Sequence, residues 1–252
     1  VLEILGRFST PAAGIHILNG HYINLIRTKD DPAQFENLLK ELSVHFDFLP
    51  FEIACNKIIN QESVQRPAIV FTFDDGFIEC YDEIAPLLEK YNTNACFFIN
   101  PAVIEVDDDT RMNFLRSRLL ISNDKTFMTW NNISDLHNRG HVIGNHTMNH
   151  IALKGISYED NLVEILEGKN ELERRLNFEC KYFAIPYGGG SDYFDDNGIK
   201  ATLATHKLSF ASYQKASYFF KGHNFILERR HFEGGWPINH IRYFLSFKRS
   251  FR

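Results

Sequence analysis

No apolar run in this chain approaches the ~18 residues needed to cross a bilayer, so no membrane-spanning helix is expected. The opening residues VLEILGRFSTPAAG lack a basic segment followed by an apolar one. A cytoplasmic protein is therefore expected, or an extracytoplasmic one if a signal preceded Val1. The four cysteines, Cys55, Cys80, Cys96 and Cys180, form no CxxC pair and are too sparse for a disulfide scaffold, so they read as buried thiols. There is no internal repeat and no low-complexity linker. Nor is there an excess of positive charge: 27 Lys+Arg against 32 Asp+Glu give a net charge of −5, which argues against a broadly basic nucleic-acid binder. The imbalance is local, with about +5 in residues 220–252 and about −10 in the rest. An anionic glycan or a membrane surface would meet that basic end.

What is present is a core-forming composition, 44% apolar over 252 residues, patterned as strands alternating with helices. Phe35, Leu38, Leu39 and Leu42 recur at helical spacing. Ala68–Phe73 and Ala95–Ile99 read as strands buried on both faces, joined by a helix carrying Ile84, Leu87, Leu88 and Tyr91. A helix over 130–139 and a strand over 141–144 follow. Ser157 and Asp160 open a long helix whose buried stripe is expected at Leu162, Val163, Leu166 and Leu172. Tyr182–Ile185, 201–205 and 225–228 read as further strands. The count favours an α/β barrel over an open sheet. It is expected as one domain over 1–252, with 1–65 an N-terminal helical and strand extension, 101–127 an insertion, and 236–252 a basic C-terminal helix.

Three polar clusters each follow a strand, where parallel α/β folds place their sites. The first is Asp74-Asp75-Gly76, two carboxylates that leave the strand in different directions. The second is His146 and His150, at a spacing that puts both rings on one face of a helical turn. The third is Pro186-Tyr187 ahead of three glycines. Two imidazoles and one carboxylate are a standard set for a catalytic divalent ion. Such an ion lowers the pKa of water to roughly 7, and the spare carboxylate is then the natural base.

TFDDG at Thr72–Gly76, HTxxH at His146–His150 and FAIPYG at Phe183–Gly188 together resemble the polysaccharide deacetylases of the NodB-homology type, carbohydrate esterase family 4. The resemblance covers about residues 66–235. It implies a distorted (β/α) barrel of about seven parallel strands and metal-dependent removal of N-acetyl groups from amino sugars. It also implies Asp75, His146 and His150 as ligands, most simply for Zn²⁺, and Asp74 as base. The Tyr187 N–H would face the developing oxyanion, with Pro186 and Thr147 beside the substrate. The family's third motif carries an Arg two residues before its proline, where this chain has Ala184. Arg230 is the expected substitute partner for Asp74, although Arg229 and Arg230 also read as surface charges. His231 is the expected acid for the leaving amine, in competition with His206 and His223. The alternatives are a carbohydrate-binding pseudoenzyme of the same fold or a deacylase for another amide or ester. An iron oxygenase fits poorly, because the carboxylate stands so far ahead of a tight histidine pair.

Overall fold

The chain begins with a short helix, α1 (Leu2–Arg7), and a first strand, β1 (Gly14–Gly20). A longer helix, α2 (Pro32–His45), buries Phe35, Leu38, Leu39 and Leu42 as their spacing requires. The two-residue β2 (Asp47–Phe48) and α3 (Phe51–Ile59) lead into β3 (Pro67–Phe73). A wide turn at Cys80–Ile84 continues into α4 (Ala85–Lys90), followed by β4 (Ala95–Ile99), α5 (Asp108–Ser117), α6 (Trp130–Asn138) and β5 (Val142–Asn145). Then come α7 (Tyr158–Leu176), β6 (Tyr182–Ala184), α8 (Asp196–Thr205), β7 (Leu208–Ser212), β8 (Ile226–His231) and α9 (Ile238–Leu245). This computed structural model describes residues 1–22, 32–122, 124–188, 193–212 and 226–246. None of the helices among them is long and apolar enough to cross a membrane.

All pairings between these strands are parallel, and β1 pairs with both β3 and β8. The sheet therefore closes into a seven-stranded barrel, with β2 attached to the lower half of β3. Closure is thin at two seams. β5 and β6 share the single register pair Asn145↔Phe183, and β1 meets β8 only at Leu18↔Arg230 and Asn19↔His231. These short pairings make the barrel irregular.

Side chains alternate across each strand, so every second residue faces inward. Ile15 and Ile17, Ala68 and Val70, Cys96 and Phe98, Tyr182 and Ala184, Leu208 and Phe210, and Leu227 form one interior cluster. Phe51, Ala54 and Cys55 join it, so α3 plugs the end of the barrel where the strands begin. Continuing each inward register by two residues reaches polar groups at the other end: Asn19, Thr72 and then Asp74, Asn100, Ser212, and Arg229 and then His231. The barrel is apolar below and polar above, and its chemistry sits at the carboxyl ends.

Several expectations change. Residues 1–65 are not only an extension, because β1 is a stave between β3 and β8. The segment 201–205 is the end of α8, which Asp195 caps through the Asn197 and Gly198 N–H groups. The strand lies just beyond, at β7. In α7 the buried face is Asn161, Glu164, Ile165, Gly168 and Leu172, while Val163 and Leu166 are exposed. Polar residues occupy that face because the loop carrying the two histidines packs there. Glu164 accepts from the Asn149 side-chain amide at 3.0 Å and from its backbone N–H. At Gly168 a Cβ would lie 2.5 Å from Asn145 Oδ1 and 2.9 Å from the Met148 nitrogen. Of the expected insertion 101–127, the structure makes a short turn and α5, closed over the barrel top. Of the expected C-terminal helix 236–252, α9 is formed and packs on α1. Lys248, Arg249 and Arg252 lie outside the described residues.

Two buried histidines away from the site make stability depend on pH. Burial pushes His16 down to about 4 and His206 down to about 3. In the unfolded chain both titrate near 6.5, so between these values the unfolded state binds more protons. Their contribution is intact above pH 6.5 and is lost as pH falls toward 4. For His16 the full loss is at most roughly 3 kcal/mol. Urea midpoints at pH 7 and pH 4.5 should show the drop, and a flat profile would contradict it.

Candidate active site

β3 delivers the first cluster. Beyond Phe73 the backbone turns sharply, with Asp75 at φ 72° and Gly76 at φ 76°. This separates the two carboxylates, although both remain buried, each 3% exposed. Asp75 Oδ1 lies 3.6 Å from His146 Nε2 and 3.4 Å from His150 Nε2. Asp74 Oδ2 is 3.9 Å from His146 Nε2.

The histidines do not share a helical turn. His146 follows β5 directly, its N–H bonded to the Ile99 carbonyl, and the chain then passes through left-handed conformations at Thr147 (φ 64°) and His150 (φ 50°). Tyr187 is a further left-handed position, at φ 60°. Such conformations in non-glycine residues cost about 1–3 kcal/mol each and persist where surrounding structure imposes them. Here they fold the second motif back so that both Nε2 atoms face Asp75. Thr147 is fully buried within this turn.

The donor set fits a divalent cation. One donor atom each from Asp75, His146 and His150 lies within 4.8 Å of the others. His146 Nδ1 is 2.8 Å from the Ala184 carbonyl, so it carries the proton and leaves the Nε2 lone pair directed inward. Burial lowers the pKa of both histidines, favouring the neutral ligand form. Asp75 Oδ1 is buried without a hydrogen-bond partner. Burial and the neighbouring Asp74 charge hold the Asp75 carboxyl well above its ordinary pKa, a strain that a cation would remove.

Asp74 has the opposite environment. Burial alone would raise its pKa, but the Arg229 guanidinium, with His146 and His21, holds it well below the usual carboxylate range. Arg229 NH1 and NH2 each donate to one Asp74 oxygen at 2.7 Å, a bidentate pair inside the barrel mouth. Thr72 Oγ1 lies 3.1 Å from NH1, and Ser212 Oγ, which also accepts from Asn19 at 2.8 Å, lies 3.4 Å from NH2. Below, Arg229 rests 5.1 Å from the centre of the Phe98 ring. The expected partner was Arg230, and the alternation of β8 shows why that is wrong. Leu227, Arg229 and His231 point inward, whereas Arg230 points outward and lies over the Phe244 ring of α9 at 3.8 Å.

His231 stands at the top of the same inward register, 42% exposed, with Nε2 2.7 Å from Glu233 Oε1. Its ring is 5.7 Å from that of His21, a residue the sequence reading missed. Burial pushes His21 down to about 4, against the pull of Asp74. His206 sits away from this group, against Phe183 and Asn145, and is not a competitor of His231. His223 lies outside the described residues.

The third motif closes the site. Pro186 is buried, and the Tyr187 ring packs edge-on to His150 with centroids 4.5 Å apart. The Tyr187 hydroxyl donates to the Arg118 carbonyl at 2.6 Å, tying the 101–127 segment to the barrel. Gly188 has φ 46°, and a Cβ there would lie 2.6 Å from both Cβ and N of Ser212. The segment that presents Tyr187 is thus seated against the residue that also supports Arg229.

A buried carboxylate paired with an arginine thus stands beside two histidines and a second carboxylate that could hold a metal ion, at the carboxyl end of a seven-stranded parallel barrel. The family model for polysaccharide deacetylase matches residues 61–206, and the chain belongs to that family. It is 29% identical over 124 residues to the peptidoglycan-N-acetylglucosamine deacetylase of Bacillus cereus, a match covering 49% of this chain and 37% of that protein. In fold it is similar to the Streptococcus pyogenes deacetylase PplD, solved in complex with acetate (TM-score 0.71, 19% identity, 94% of this chain and 99% of that one). It is also similar to IcaB from Ammonifex degensii (TM-score 0.75, 17% identity, 95% of this chain and 100% of that one).

Proposed function

We propose that the chain is a metal-dependent deacetylase that removes N-acetyl groups from amino sugars of a polysaccharide, oligosaccharide or lipid-linked glycan. The observation that carries this reading is the Asp75, His146 and His150 donor set beside an Asp74 kept ionised by Arg229. Asp75 Oδ1 and the two Nε2 atoms would hold the cation, and neutral imidazoles with one carboxylate suit Zn²⁺. Such a cation supplies Lewis acidity toward the acetamide carbonyl and water of lowered pKa.

This chain's residues do the rest. Asp74 takes the proton of the attacking water as its oxygen bonds to the acetyl carbon. Arg229 keeps Asp74 ionised before that transfer and in register during it. The Tyr187 N–H, in a loop pinned through its own hydroxyl, donates to the oxyanion. A missing donor of this kind costs roughly 10²–10³ in rate. His231, oriented by Glu233, gives its proton to the sugar nitrogen as the C–N bond breaks and acetate leaves.

The test is acetate release from N-acetylglucosamine oligomers by protein loaded with Zn²⁺. His146→Ala and His150→Ala should each lose stoichiometric metal and acetate release together. Tight sugar binding without acetate release in the metal-loaded protein would replace this reading with a binding role.

A further inference from the structure

Beyond the ligands, a second surface continues outward from His150. Tyr187 is fixed in position, because its hydroxyl lies 2.6 Å from the Arg118 carbonyl and 3.3 Å from that of His150. Tyr193 stacks on the Tyr187 ring, with centroids 5.4 Å apart and planes at 25°. Tyr193 is nevertheless 40% exposed. The backbone just after it is anchored: Phe194 is buried and bridges Leu153, and Asp195 caps α8. Arg118, the exposed C-cap of α5, stands at the same place, its carbonyl accepting from the Tyr187 hydroxyl. Among the described residues the Arg118 guanidinium is engaged in no ion pair.

We propose that Tyr193 and Arg118 form a subsite for the sugar residue next to the one deacetylated. A pyranose offers an apolar C–H face and an edge of hydroxyl and amide oxygens. The exposed face of Tyr193 matches the first, and the guanidinium donors of Arg118 match the second. The ring series from His150 through Tyr187 to Tyr193 sets this pair one neighbour away from the reacting acetyl group. Because Tyr187 and the residues after Tyr193 are already fixed, the platform needs little ordering when a sugar arrives. The favoured substrate is therefore a chain of amino sugars and not the free monosaccharide. This inference rests on the deacetylase reading above for its ligand.

The experiment uses the full chain loaded with Zn²⁺ and N-acetylglucosamine oligomers of one to five units. Acetate-release kinetics are paired with calorimetric titration of the pentamer. Wild type should show kcat/KM rising with chain length. Tyr193→Ala should raise KM for the pentamer about five- to tenfold with kcat little changed, and flatten the length dependence. Tyr193→Phe should behave as wild type, because the ring face and not the hydroxyl is used. Arg118→Ala should weaken pentamer binding in the same direction. Equal kcat/KM for monomer and pentamer, or an unchanged pentamer KM in Tyr193→Ala, overturns the subsite. Absence of acetate release from every oligomer overturns the deacetylase reading instead. The titrations still test the subsite in that case: unchanged pentamer affinity in Tyr193→Ala overturns it, and a matching loss supports it.

Discussion

Asp74→Asn should reduce acetate release by about 10²–10⁴-fold, the range for losing a positioned general base, while stoichiometric metal is retained. The amide has nearly the shape of the carboxylate but cannot accept the water proton. The ligand atoms of Asp75, His146 and His150 are untouched. The change also leaves the buried Arg229 guanidinium without its counter-charge, so the variant should melt below wild type even though its metal content is normal. Metal analysis, acetate assay and thermal melting on one preparation separate these effects. Full activity in Asp74→Asn would sink the mechanism.

Arg229→Met should have the largest effect on folding. It removes one half of a fully buried bidentate pair, and breaking such a pair typically costs 3–5 kcal/mol because the other charge stays behind. In a chain of this size that is a drop of about 6–20 °C in Tm. Two buried carboxylates, Asp74 and Asp75, would then adjoin without the guanidinium, and Asp74 would take up a proton at higher pH than in wild type. The acid limb of kcat/KM should accordingly move to higher pH. Arg229→Lys should recover part of the stability but little of the register, since an ammonium supplies one charge and no fork. By contrast Arg230→Met, at a side chain that lies over Phe244 on the outer face of β8, should leave the pH profile in place. An equal response of Arg229 and Arg230 variants would remove the special role given to the inward residue.

The three motifs were readable because each follows a strand and carries side chains whose chemistry is compatible with few other roles. The α/β barrel followed from the alternation of apolar runs with helical spacing, its seven strands from the family resemblance, and the four buried thiols from their scatter. What the linear pattern hid was direction. Arg229 and Arg230 are adjacent in sequence, and only strand parity, with Leu227 inward, distinguishes the buried one. The His146–His150 spacing suggested a helical turn, yet the rings converge through left-handed backbone that tertiary packing imposes. The same packing turned α7 so that Glu164 and Gly168 are buried while Val163 and Leu166, expected on that face, are exposed. Glu233 was in view two residues after His231, but nothing local announced that its side chain turns back. β1 carries His16 and Asn19 within a short strand, so it resembled a peripheral piece and not a stave. Its register with β3, seven residue pairs long, is a long-range fact.

The plug made by α3 sets the traffic of the reaction. Among the described residues Phe51 fills the floor of the barrel against Tyr182 and Phe210. On the deacetylase reading, a glycan that reaches Asp74 would present its acyl group end-on while the bulk of the polymer stays outside. Acetate would then depart through the opening by which the substrate came. The exit is shared, so the small product leaves past the sugar or waits for it.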